Sequence, residues 1–107
     1  MENITETIKN EVLSWSEVTS GTHRFGGLEF RIGNCEIGHL HGRHQVDIPF
    51  SARLRRELIA TKKASPHHLY PNSGWISFYI HGAEDVPDAI SLLRLNYDRL
   101  STRRCGR

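Results

Sequence analysis

The stretch Leu28–Phe50, LEFRIGNCEIGHLHGRHQVDIPF, decides the fold. Leu28, Phe30 and Ile32 alternate with Glu29 and Arg31, which is the period of a strand with one buried face. Gly33-Asn34 then supplies a two-residue hairpin turn. Cys35–His41 reads as the return strand, and Gly38 inside it signals a bulge or a close approach of another element. Gly42-Arg43 makes a second turn. His44, Val46, Ile48 and Phe50 alternate with Gln45 and Asp47, and Pro49 ends this strand or puts it at an edge.

Helices flank these strands. Ser51 is a good N-cap for a helix over Ala52–Lys63, with Leu54, Leu58 and Ile59 apolar and Lys62 and Lys63 suited to its C-terminus. Ser65-Pro66 stops it, and a loop runs to Gly74. Trp75–His81 is the strongest strand, with Ile76, Phe78 and Ile80 on one face and Trp75, Ser77, Tyr79 and His81 on the other. The last helix starts near Glu84-Asp85, takes Pro87 in its first turn and runs to about Leu100. Its stripe is Val86, Ile90, Leu93, Tyr97 and Leu100. Upstream, Ile4, Ile8, Val12 and Trp15 mark a helix over residues 2–15, followed by a polar linker, Ser16–Ser20. The expected order is α-β-β-β-β-α-β-α. That is a single small α+β domain, an antiparallel sheet of about four to five strands with helices packed on one face. The domain spans residues 1–100, and residues 101–107 form a basic, frayed tail. The other sheet face is partly exposed.

Composition fits this reading. The chain has 107 residues, 37% hydrophobic and 24% charged, with a net charge of +2. That is one domain, too small for separate catalytic and cofactor domains. Regular apolar clusters at low net charge exclude disorder. No run approaches the roughly 18 apolar residues of a membrane span. Met1–Trp15 carries Glu2, Glu6 and Glu11 and lacks a signal peptide's apolar stretch. Cys35 and Cys105 read as free thiols, so a cytoplasmic location is expected.

Several motifs carry a family resemblance. They are His23-Arg24-Phe25-Gly26-Gly27, Glu36-Ile37-Gly38-His39-Leu40-His41-Gly42, Asp47-Ile48-Pro49-Phe50 and the segment from His67-His68 through Pro71-Asn72-Ser73-Gly74-Trp75. With Leu92-Leu93-Arg94-Leu95-Asn96-Tyr97, the set resembles bacterial and fungal proteins of the luciferase-domain family, a family of unknown function. The resemblance covers about Trp15–Leu100. The order of elements is also similar to the MmcQ/YjbR proteins, which implies a frataxin/YjbR-like sandwich.

The candidate chemistry centres on histidines. His39 and His41 are two apart on one strand and share a face, with Cβ atoms about 7 Å apart. Such a pair chelates a transition metal, zinc or similar, with His23 or one of His67 and His68 as third ligand. Glu36, Glu29 or Asp47 would be a carboxylate ligand or would orient a histidine. Alternatively the face holds a small anionic or aromatic ligand, with His23, Arg24, His39, His41, His67 and His68 as polar contacts and Trp75 stacking. Catalytic residues are not assigned; an enzyme here would use metal-assisted chemistry or a histidine titrating near neutrality. A homodimer burying Trp75 and Tyr79 is an alternative. Arg53, Arg55, Arg56, Lys62, Lys63 and the tail arginines form a basic patch, yet the nearly neutral chain makes nucleic acid an unexpected partner.

Overall fold

The computed structural model describes residues 3–22, 27–42, 44–66 and 74–102. Helix α1 spans Ile4–Leu13 and is capped by the Asn3 side chain, which accepts from the Glu6 amide. Strands β1 (Val18–Thr22), β2 (Leu28–Ile32), β3 (Cys35–His41) and β4 (Gln45–Pro49) follow. Helix α2 spans Ala52–Ala60, and the Ser51 hydroxyl accepts from the Leu54 amide as its cap. Then come β5 (Ser65–Pro66), β6 (Trp75–Tyr79), a single 3-10 turn (Ala83–Asp85) and α3 (Val86–Ser101).

The sheet is antiparallel in the order β1-β2-β3-β4-β6-β5. Six strands exceed the four to five expected; the strands without a sequence signal are the two-residue β5 and the edge strand β1. A strand as short as β5 has no alternation to read. Residues 18–20, assigned to a linker from sequence, belong to β1. That edge strand is almost wholly exposed, so no apolar pattern marks it.

Alternation sends Leu28, Phe30, Ile32, Leu40, Val46, Ile48 and Ile76 into the core beneath the helices. Each such side chain contributes roughly 1.5–3 kcal/mol when fully buried. α3 adds Val86, Ala89, Leu92, Leu93, Tyr97 and Leu100, and α1 adds Ile8 and Val12. Gly38 lets α3 press on the sheet: a Cβ there would meet Leu93 Cδ2 at 2.8 Å. Gly27 is more constrained. Its φ is +87°, and a Cβ would stand 2.1 Å from the Leu40 carbonyl oxygen. Gly27→Ala is therefore expected to destabilise the domain by about 3 kcal/mol or more, from backbone strain and clash together. Thermal unfolding checks this; an unchanged midpoint would contradict it.

The bulge anticipated at Gly38 is present. Phe30 pairs with Gly38, yet Arg31 pairs with Glu36, so Ile37 is an extra residue on β3. Its carbonyl accepts from Asn96 Nδ2 at 2.8 Å, and Arg99 Nε donates to Asn96 Oδ1. Asn96 is fully buried, so α3 fastens the bulge.

Cys35 is not the free thiol expected: it is disulfide-bonded. The only other cysteine, Cys105, lies outside the described residues. Whether a cysteine is paired is not written in its local sequence. Among the described residues, no helix is long and apolar enough to cross a membrane.

Candidate functional site

One row of residues crosses the sheet in register. Gly21 pairs with Glu29, Glu29 with His39, His39 with Asp47, Asp47 with Ser77, and Ser77 with Ser65. These side chains lie on the face away from the helices. The middle of the row is closed to solvent: His39 is 4% exposed, and Asp47 and Ser77 are 0%. A buried carboxylate beside a buried imidazole is costly unless paired, so its partners define the site.

Asp47 is held from one side. Its Oδ1 accepts from Ser77 Oγ at 2.8 Å and from Gln45 Nε2 at 2.9 Å. This fixes the carboxylate so that Oδ2 lies 2.9 Å from His41 Nε2 and 3.4 Å from His39 Nε2. The two Nε2 atoms are themselves 2.9 Å apart. Alternation on β3 gives both histidines one face, and the strand pairing brings Asp47 opposite His39.

Behind His39, Glu36 Oε2 lies 2.6 Å from Nδ1. Residues three apart on a regular strand face opposite ways. The extra residue Ile37 shifts the parity and puts Glu36 and His39 on the same side. The Trp75 ring packs against His39 with centroids 5.3 Å apart, and His41 meets His39 edge-on at 4.6 Å.

Burial opposes a charge on His39. The Asp47 and Glu36 carboxylates, through hydrogen bonds and charge, outweigh it and push the imidazole up to about 9. At pH 7 the ring is thus a buried cation with its Nδ1–H directed at Glu36. It is not the near-neutral histidine that acid–base catalysis needs.

Residues 34–96 match the family described as the luciferase domain. The chain belongs to this family. No curated protein and no solved structure matches it. The matched segment of this luciferase-domain protein holds Glu36, His39, His41, Asp47, Trp75 and Ser77.

Of the residues singled out in sequence, the luciferase-domain fold brings together His39, His41 and Trp75. His23, Arg24, His67 and His68 lie outside the described residues. The three carboxylates considered part company: Asp47 meets both histidines, Glu36 orients His39, and Glu29 pairs with Arg31. Tyr79 is exposed. Gln45, Ser77 and Asn96 were not picked out as functional. Ser77 and Gln45 carry no motif: the pairing of β4 with β6 brings Ser77 to Asp47, while Gln45 reaches it from two residues away on the same strand. A lone Asn in the apolar stripe of α3 was the available signal for Asn96.

Proposed function

We propose that this luciferase-domain protein binds one divalent transition-metal ion through His39 Nε2, His41 Nε2 and Asp47 Oδ2. The observation that carries this is the convergence of the three ligand atoms at 2.9, 2.9 and 3.4 Å. They lie on a circle of about 1.8 Å radius, so a point about 2.1 Å from each, an ordinary metal–ligand bond, lies about 1 Å off their plane.

The surroundings support the same reading. A histidine ligand characteristically gives its other ring N–H to a carboxylate, which fixes the tautomer, and Glu36 stands at that position. Ser77 and Gln45 steady the second oxygen of Asp47. The ion displaces the proton that His39 otherwise holds. Three protein ligands is a donor count found in working metal sites. A small organic ligand is a second reading, favoured by the Trp75 ring beside His39. The cytoplasmic location rested partly on free thiols, and the disulfide at Cys35 removes that ground.

The test is elemental analysis of untagged protein after dialysis against zinc, iron, cobalt and nickel. One ion per chain, absent from His39→Ala, is expected. A folded protein that holds no stoichiometric metal would reduce the triangle to a structural network sharing a proton. Glu36→Gln is expected to weaken binding about 10- to 100-fold while keeping the fold, as metal titration calorimetry would show. Equal affinity would deny Glu36 its orienting role.

A further inference from the structure

A cleft of about 530 Å³ lies on the helix-covered side of the sheet, between α2, β6 and α3. Leu58 lines it from α2, Phe78 from β6, and Leu92 and Leu95 from α3, while Lys62 and Lys63 line it from the turn after α2. Its volume falls within the roughly 300–1,000 Å³ of small-molecule sites, which pair apolar walls with a few polar groups. Part of the apolar lining stays open to solvent: Phe78 is only half-buried, and Leu95 is 40% exposed.

The two lysines are the charged feature of this cleft. Among the described residues, neither ammonium forms an ion pair. Their backbone is unusual as well. The Lys63 amide donates to the Leu58 carbonyl at 2.9 Å and the Lys62 amide to the Ile59 carbonyl at 3.0 Å, a helix ending whose left-handed position is usually glycine. Here Lys62 holds that position, with φ at +61°. A side chain there strains the backbone where glycine would not, and such strain points to a use outside folding. Asp88 is the one carboxylate lining the cleft, so two cations face one anion. A smaller cleft continues past both lysines and adds Asp85, whose Oδ2 already accepts from the His81 amide at 2.9 Å. We propose that the cleft binds a singly charged organic anion with an aromatic body, its acid group held by Lys62 and Lys63 and its body resting on Phe78, Leu92 and Leu95.

The experiment titrates the full chain with anilinonaphthalene sulfonate, an aromatic body carrying one acid group, and follows its fluorescence and the protein's amide NMR signals. Saturable binding is expected, with shifts at Lys62, Lys63, Phe78 and Leu95. Affinity should exceed that for N-phenylnaphthylamine, the same body without the acid, by about tenfold or more. The double variant Lys62→Gln with Lys63→Gln changes two exposed side chains. It is expected to melt as the parent does and to bind the sulfonate about tenfold more weakly. Lys62→Gly is expected to melt higher, since glycine suits the left-handed backbone, and still to bind more weakly. A glycine variant that melts higher yet binds as tightly as the parent would leave Lys62 no role at the cleft and overturn the proposal. Equal affinity for the neutral body, undiminished affinity in the double variant, shifts confined to other surfaces, or no binding by folded protein would overturn it too. No metal enters the assay, so its outcome is independent of the histidine centre.

Discussion

Asp47→Asn is expected to lower metal affinity at least a hundredfold, about 2.7 kcal/mol or more of binding free energy, with the fold intact. The substitution is nearly isosteric. The amide oxygen still accepts from Ser77 and Gln45, which hold Oδ1 at 2.8 and 2.9 Å. What is lost is the charge and the ligand atom at Oδ2, and the new N–H cannot bind a cation. A second readout separates this from a packing defect. Asp47 is one of the carboxylates that raise His39, so the variant's His39 should titrate lower by NMR. Undiminished affinity together with an unmoved His39 would remove Asp47 from the site.

The second large effect is a crossing of two pH dependences. His39 is raised from 6.5 to about 9 in the folded chain. Its contribution to the metal-free fold is therefore complete below about pH 6.5, where both states bind the proton. It is lost as pH climbs through about 9, up to roughly 3 kcal/mol in all. Metal affinity runs the other way. The ion competes with the same proton, so affinity should rise up to about tenfold per unit of pH between 6.5 and 9 and level off above. Melting of the metal-free protein should thus fall across the window in which metal titrations tighten. If both curves were flat, His39 would not hold the proton assigned to it.

The fold was largely legible because its signals are local. The alternation of Leu28, Phe30 and Ile32, the Gly33-Asn34 turn, the Ser51 cap and the stripe of α3 each depend on neighbours a few residues away. β1 and β5 were not legible, since an exposed edge strand and a two-residue strand bury too little to leave a pattern. The site divides along the same line. His39 and His41 were readable as a pair because a strand's period of two makes them share a face. Asp47 and Glu36 were readable only as candidates in a set with Glu29.

Sequence by itself determined the α+β class, the Ser51 cap, the helix-covered face of the sheet, and the histidine pair on the opposite face. Tertiary structure decided which carboxylate meets the histidines. The pairing of β3 with β4 sets Asp47 across from His39, and β6 brings Ser77 to hold it. It also decided that Glu36 reaches His39, through one extra residue at Ile37 whose carbonyl is secured by Asn96. Register and bulges depend on contacts between residues far apart in the chain. A single inserted residue reverses which side chains share a face, and no local pattern states that in advance.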